Sequence, residues 1–129
     1  MRREGLLIGE VASRSGLSRK AIRLYESRGI LAPASRTEGG YRVYSADVLA
    51  LLKFVATARR LGFSLAEIAD IVAIRRAGQM PCAHVYTHLR QKAMELEEMR
   101  KTVRIVLGSW RVRRNRTAVV CPHLEVERR

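Results

Sequence analysis

The sequence predicts a mainly α-helical protein in which a winged helix-turn-helix unit precedes one long helix. Two short amphipathic segments flank the turn Gly16-Leu17-Ser18, an arrangement typical of a helix-turn-helix. The pair Gly39-Gly40 then lies within residues 31–44, where polar and apolar side chains alternate as in a short hairpin wing. Apolar residues recur every seven positions from Cys82 onward, which indicates a helix of a coiled coil.

The net charge of the chain indicates which type of partner it binds. The chain has 129 residues, with 25 Lys and Arg against 12 Asp and Glu, so its formal net charge is +13. This surplus favours nucleic acid as the partner, with an anionic membrane surface as the second choice. The hypothesis of a membrane partner is weaker, because no apolar run approaches the roughly 18 residues that a transmembrane helix needs. The N-terminus also lacks the apolar core of a signal peptide. We therefore expect a cytoplasmic protein without a membrane partner.

The first two helices are predicted from their periodicity and their end signals. The first helix covers Ile8–Ser15, and Gly16 suits the left-handed residue that ends it. Ser18 is a good N-cap for a second helix over Arg19–Arg28, which ends at Gly29. Taken alone, these residues also allow an ordinary αα-hairpin.

Two further helices follow the predicted two-stranded wing. Ser45 is expected to cap a helix over about Ala46–Leu61. Ser64 and Glu67 form a capping-box pattern that predicts a helix over Leu65–Arg76.

The longest periodic segment begins after Pro81, which is tolerated in the first turn of a helix. About 30 helical residues would extend roughly 45 Å, with an apolar seam and otherwise polar faces. We expect this seam to pair with a second copy of the chain; packing on the chain's own body is the alternative. The heptad positions are Cys82, Leu89, Leu96, Val103 and Trp110, with companions Val85, Lys92, Met99 and Val106.

A recognition helix needs basic and polar side chains on its exposed face, because phosphate contacts position it and base-edge contacts specify sequence. The second helix, the wing and the following helix supply such residues, and these elements would converge on one side. A solvated basic surface is the alternative. The candidates for DNA contact are Arg19, Lys20, Arg23, Tyr25, Arg36, Tyr41, Arg42, Arg59 and Arg60.

Three runs of sequence make the chain similar to a known family. They read IGEVASRSGLSRKAIRLYESRGIL, RTEGGYRVY and ARRLGFSLAEIADIV, and they lie between Ile8 and Val72. In order and spacing they resemble the MerR family of bacterial transcription regulators. The resemblance implies a winged-helix DNA-binding domain whose partner subunit is held by an antiparallel coiled coil. It also implies a homodimer on double-stranded promoter DNA, shared with RNA polymerase.

Regulators of this family sit on a promoter spacer that is longer than usual. The resemblance implies that the dimer bends and untwists this spacer on activation, so it acts through DNA shape. Position within the family motifs implies that Arg23 is the best candidate for a base edge and that Tyr41 and Arg42 hold phosphates. The implied organisation is a DNA-binding domain over 1–76, a linker over 77–81, a dimerisation helix over 82–112, and an effector loop and tail over 113–129.

The two cysteines are candidate metal ligands. Cys82 begins the long helix, where free N–H groups and the helix dipole favour a thiolate. Cys121 follows the far end of the same helix, so in an antiparallel coiled coil it approaches Cys82 of the other chain. His84, His88 and His123 are candidate nitrogen ligands.

The resemblance supports a metal effector and limits its type. Metal-sensing members have a segment similar to CPHLE, residues 121–125 here. A cysteine at the position of Cys82 is associated with sensors of divalent zinc, cadmium, lead or mercury, whereas copper(I) sensors usually have serine. Those divalent sensors carry a further cysteine that residues 110–114 lack. The expected ligands of a divalent ion such as zinc are therefore Cys82, Cys121, His123 and His84.

Other functions remain open at this stage. The same DNA-binding dimer could respond to a redox signal, with a disulfide between Cys82 and Cys121, or to a small organic molecule. A nucleoid-like architectural protein would also suit the charge, but it would not prefer a spaced palindrome. An enzyme is not expected, because the sequence lacks a glycine-rich phosphate loop and an HExxH motif.

Overall fold

The structure of the protein, a computed structural model, describes residues 5–110 and 117–125. The predicted end of the long helix at residue 112 therefore lies outside the described residues. The chain divides into two compact units, Met1–Val85 and Tyr86–Arg129. The elements, in chain order, are β1 (Leu6–Leu7), α1 (Ile8–Ser15), α2 (Arg19–Ser27), β2 (Ser35–Arg36), β3 (Arg42–Tyr44), α3 (Val48–Arg60), α4 (Leu65–Arg76) and α5 (Cys82–Gly108).

The bounds of α1 and α4 and the start of α2 confirm the signals that predicted them, whereas α2 ends at Ser27, one residue before the predicted end. α1 has the predicted bounds and ends at Gly16, whose φ of 76° is left-handed. The Ser18 hydroxyl accepts a hydrogen bond of 3.0 Å from the Ala21 N–H at the start of α2. α4 also has its predicted bounds, since Ser64 and Glu67 form a reciprocal capping box. The mainly α-helical prediction is confirmed.

The predicted two-stranded wing is present as β2 and β3, but a third strand was not predicted, and the predicted start of α3 is wrong. The sheet has three strands in the order β1-β3-β2, because Leu6 and Leu7 form β1 and pair antiparallel with the free edge of β3. α3 begins at Val48 and not at Ala46, so Ser45 is not its N-cap. The Ser45 carbonyl instead accepts from the Val48 N–H at 3.1 Å, and the Ser45 hydroxyl donates to the Asp47 carboxylate. A turn therefore fills the two positions assigned to the helix.

The core of the first unit has two neighbouring clusters, and α3 contributes to both. The first cluster includes Ile30, Val55, Ala58, Phe63, Ile68, Ile71 and Val72. The second includes Val11, Ile22, Leu31, Tyr44, Val48 and Leu52. Because Ile22 of α2 and Tyr44 of β3 share the second cluster, the helix-turn-helix and the wing are packed on one support.

Gly5 allows the chain to enter β1 close to β3. Its φ is +97°, and a Cβ at this position would lie 2.8 Å from Val43 Cγ1 and inside contact distance of the Tyr44 carbonyl. We expect Gly5→Ala to lower the free energy of unfolding by about 2–3 kcal/mol, measured by urea denaturation. Gly16→Ala is the control, because Gly16 has a positive φ but nothing within 4 Å of its Cβ position. Equal losses in the two variants would contradict the predicted clash.

The second unit contains most of α5, and its apolar side chains are uncovered in the described part of the chain. Leu89, Leu96 and Val103 are 36%, 69% and 46% exposed and lie seven residues apart. The opposite face carries the ion pair Lys101–Glu98 at 3.5 Å. α5 ends at Gly108, so the predicted seam position Trp110 lies beyond the helix and that assignment is wrong. Among the described helices, none is long and apolar enough to cross a membrane.

Candidate nucleic-acid interface

The exposed face of α2 carries the basic residues expected of a recognition helix. Ile22 is fully buried, which fixes the rotation of the helix. Arg19, Lys20 and Arg23 are exposed as a result. Tyr25 differs from this group, because it is half-buried and packs against both core clusters.

A surface depression brings three of the predicted DNA-contacting residues together. Arg19, Tyr41 and Arg42 line it together with the start of α1, and its volume is about 470 Å³. The Arg19 guanidinium lies over Gly9, since Nη2 would be 3.0 Å from a Cβ placed there. The Tyr41 side chain, in the loop before β3, is 68% exposed. The beginning of α2 and the wing therefore present two guanidinium groups and a phenol beside the start of α1, whose Glu10 also lines the depression. The guanidinium and phenol groups suit a phosphate of the DNA backbone.

Two other predicted arginines also hold local structure. Arg36 Nη1 donates to the Gly40 carbonyl at 2.8 Å, across the turn of the wing. Arg59 Nη1 donates to the Phe63 carbonyl at 2.9 Å, across the turn between α3 and α4. Both side chains belong to exposed residues, and a guanidinium has five N–H donors, so each retains donors for a phosphate.

Glu26, at the C-terminal end of α2, is a residue that sequence reasoning missed. Its carboxylate accepts hydrogen bonds from the Tyr44 hydroxyl at 2.7 Å, from Arg42 Nη1 at 3.1 Å and from the Ala34 N–H at 3.2 Å. Burial raises the pKa of the Glu26 carboxyl, but the bonds from Tyr44 and Ala34 and the Arg42 charge outweigh burial and hold the pKa below its ordinary value. Glu26 is therefore a carboxylate at neutral pH.

Tyr44 and Arg76 complete the support of the recognition helix. Burial, and then the hydrogen bond to Glu26, raise the pKa of the Tyr44 hydroxyl, so this group remains a donor. Arg76, at the end of α4, donates to the carbonyls of Gly29 and Ile30 at 2.7 and 2.6 Å. The end of α2 is thus bonded to β3 through Glu26, and the chain that follows α2 is bonded to the end of α4. The sequence did not predict the contact of Arg76 with Gly29 and Ile30, because a basic residue is common in the last turn of any helix.

Cys82 and His84 both lie in the first turn of α5. Cys82 is its first residue and has an exposed, free thiol. His84 is half-buried, and the neighbouring Val85 packs against the first core cluster. The start of α5 is therefore held in place by apolar packing while the thiol of Cys82 faces solvent.

Cys121 and His123 lie in a loop that is organised by Glu125. The N–H groups of Val119, Val120 and Cys121 donate to the Glu125 carboxylate at 2.8, 3.1 and 2.7 Å. These bonds, from Val119 and Val120 first, lower the pKa of the Glu125 carboxyl, which is an anion at neutral pH. The loop therefore has a defined backbone around the half-buried, free thiol of Cys121.

Trp110 stacks on His123 in the same unit. The ring centroids are 3.9 Å apart, and the ring planes meet at 17°. Trp110, two residues after the end of α5, therefore packs on the loop that contains His123. It also holds one of the predicted nitrogen ligands beside Cys121.

The predicted metal ligands do not form a cluster within one chain. Among residues 5–110 and 117–125, no three His, Cys, Asp or Glu side chains are grouped so that they could hold a metal ion. The donor chemistry still fits zinc, which binds thiolate sulfur and imidazole nitrogen. Cys82 with His84 and Cys121 with His123 are two pairs of candidate ligands, and each pair alone has fewer donors than the four of a structural zinc site.

Comparison with known proteins identifies relatives of the chain. Residues 6–73 match the model of the MerR HTH family regulatory protein, and residues 49–105 match the model described as MerR, DNA binding. The heavy metal-dependent transcription regulator 2 of Rhizobium meliloti is 36% identical over 108 residues, which is 78% of this chain and 74% of that protein. The HTH-type transcriptional regulator CueR of Escherichia coli is 37% identical over 91 residues, or 70% of this chain and 67% of CueR.

A solved structure supports the same fold. The transcription regulator PbrR691 from Ralstonia metallidurans, in complex with lead(II), is 27% identical, with a TM-score of 0.58. The alignment covers 91% of this chain and 94% of PbrR691.

Proposed function

The chain belongs to the MerR family of HTH transcription regulators, and on that premise we propose that it is a dimeric, metal-responsive regulator that distorts a promoter spacer. The family and the relatives are transcription regulators, which confirms the expectation that the protein is not an enzyme. The MerR-type DNA-binding region is likewise part of the chain.

The observation that carries the DNA-binding part is the meeting of Arg19, Tyr41 and Arg42 at one depression beside α1. A phosphate held there fixes the protein on the duplex, and the exposed face of α2 enters the major groove beside it. Lys20 and Arg23 lie on that face. Phosphate contacts from two separate elements also fix the angle of α2 in the groove.

The uncovered apolar stripe of α5 supports dimerisation. Two such helices side by side bury Leu89, Leu96 and Val103 of each chain, as the heptad spacing requires. A two-fold dimer reads a spaced palindrome, and bending the DNA between the half-sites brings a long promoter spacer into a phase that RNA polymerase accepts. This regulation takes place in the cytoplasm, where the promoter DNA and the polymerase are.

The cysteines support a divalent metal ion as the effector. Zinc, cadmium, lead and mercury all bind thiolate, and Cys82 and Cys121 are both free. A relative named for dependence on heavy metal and a relative in complex with lead(II) support the same assignment. In this proposal Cys82, Cys121, His123 and His84 hold the ion across the dimer, and zinc is the candidate ion.

Zinc titration of the reduced, metal-free protein tests this proposal. Trp110 is the single tryptophan and stacks on His123 at 3.9 Å, so ligation of His123 changes its fluorescence. We expect stoichiometric zinc binding with loss of two reactive thiols per chain. Cys82→Ser and Cys121→Ser should each weaken zinc binding by more than about 100-fold, beyond the loss typical of groups that only orient a ligand.

His88→Gln is the control for His123→Gln. His88 lies on α5 outside the proposed ligand set, so His88→Gln should leave zinc affinity unchanged while His123→Gln lowers it. Zinc binding that survives both cysteine substitutions would contradict the metal site. Indifference to zinc, cadmium and lead, together with loss of thiols and altered DNA binding on mild oxidation, would favour the redox alternative instead.

A further inference from the structure

Glu26 joins three segments that the DNA-binding function needs to be held together. It lies on α2, and its hydrogen-bond donors lie in the chain before β2 (Ala34) and on β3 (Arg42 and Tyr44). The donors are eight, sixteen and eighteen residues away in sequence. One carboxylate thus connects the recognition helix to β3 and to the chain just before β2.

An acidic side chain at this position is unexpected for a DNA-binding face. A carboxylate near DNA repels phosphates, and the chain otherwise presents exposed arginine and lysine there. The Glu26 side chain is only 16% exposed, and it forms an ion pair of 3.1 Å with Arg42, whose side chain is 37% exposed. The negative charge of Glu26 is therefore neutralised by Arg42 within the protein. The three hydrogen bonds that Glu26 accepts explain why an acidic residue occurs at this position.

The hydrogen bond between Arg42 and Glu26 also orients the Arg42 side chain toward the DNA-binding face. Arg42 gives one N–H to Glu26 and also lines the depression that contains Arg19 and Tyr41. A guanidinium has five N–H donors in a rigid plane, so a bond to Glu26 on one edge orients the remaining donors. Without Glu26, the long side chain of Arg42 samples many rotamers, and holding a phosphate then costs conformational entropy.

We propose that Glu26 is a positioning residue for DNA binding, which fixes the wing against the recognition helix and aims Arg42 at a backbone phosphate. This inference rests on the proposed DNA-binding function. Glu26 does not itself touch DNA; it acts through Arg42 and through the placement of β3.

The sign of the affinity change tests the inference. The probe is a DNA duplex that the wild-type protein selects from a random-sequence library. Removing a negative charge should tighten DNA binding by electrostatics alone, and Glu38→Ala, at the exposed turn of the wing, is the matched control for that effect. We expect Glu26→Ala to weaken binding by about 10-fold, because one aimed charge-assisted contact is lost in each subunit.

A conservative variant and the salt dependence separate positioning from loss of fold. Glu26→Gln keeps one acceptor oxygen, which can take the place of Oε2 and accept from both Tyr44 and Arg42, but it loses the acceptor of the Ala34 N–H. Because the bond that orients Arg42 is kept, its affinity should stay within about 3-fold of wild type. The slope of log affinity against log salt should fall by roughly one per subunit in Glu26→Ala, since each Arg42 no longer neutralises a phosphate. A residue that only stabilises the fold lowers the melting temperature without changing this slope.

A double-mutant cycle with Arg42 completes the test. In an Arg42→Ala background, most of the effect of Glu26→Ala should vanish, because the two residues act through one contact. If Glu26→Ala tightens binding as Glu38→Ala does, or if its effect adds fully to that of Arg42→Ala, the positioning role is wrong and the DNA-binding function stands. If the wild-type protein selects no spaced palindrome, both the function and the inference fall.

Discussion

Leu96→Asp should separate the proposed dimer into monomers and weaken binding to the selected duplex by at least about 100-fold. Leu96 is 69% exposed within the chain and lies in the middle of the apolar stripe of α5, between Leu89 and Val103. Pairing two stripes would bury one aspartate from each chain without a partner, which is strongly unfavourable. A monomer also loses the second half-site, and linking two half-sites contributes a factor of about 10²–10⁴ to affinity.

Met94→Asp is the matched control for this substitution. Met94 is 63% exposed, so the same charge is introduced on the same helix at similar accessibility. It lies about 200° around the helix from Leu96, on the face away from the heptad stripe. Light scattering and DNA binding should remain those of wild type in Met94→Asp and change together in Leu96→Asp. A Leu96→Asp protein that stays dimeric would show that the dimer uses another surface.

The parts of the fold that could be predicted are those with local signals. α1 and α4 have the predicted bounds because their caps, Gly16 and the Ser64–Glu67 box, lie next to them in sequence. β1 could not be predicted, since a strand of two residues has no period and exists only through its pairing with β3. The start of α3 was wrong because Ser45 looks like an N-cap but completes a turn instead.

Some residues of the candidate site could likewise be predicted from local sequence signals, and others could not. Exposed basic residues such as Arg19, Lys20 and Arg23 follow from helical spacing and charge. Glu26 does not, because an acidic residue on a basic helix has no pattern until Arg42 and Tyr44 are brought to it from sixteen and eighteen residues away. Trp110 illustrates the limit of the heptad: the seven-residue spacing continues past the residue where α5 ends.

Arg23→Ala and Lys20→Ala should have different effects on DNA binding although both residues lie on the exposed face of α2, three residues apart. Arg23 is the candidate for a base edge, and a bidentate contact to guanine contributes about 1–3 kcal/mol of discrimination. A dimer loses this contact twice, so Arg23→Ala should reduce the preference for the selected sequence over a scrambled duplex by about 30- to 10⁴-fold. Non-specific affinity should change much less.

Lys20→Ala should weaken binding to the selected and the scrambled duplex by the same factor. A lysine near the start of α2 contacts phosphate as a point charge, so its loss reduces the salt slope by about one per subunit and leaves discrimination unchanged. Competition binding against both duplexes at several salt concentrations measures both quantities. If Lys20→Ala reduced discrimination and Arg23→Ala reduced only the salt slope, the roles would be exchanged, and α2 would enter the groove with its first turn nearest the bases.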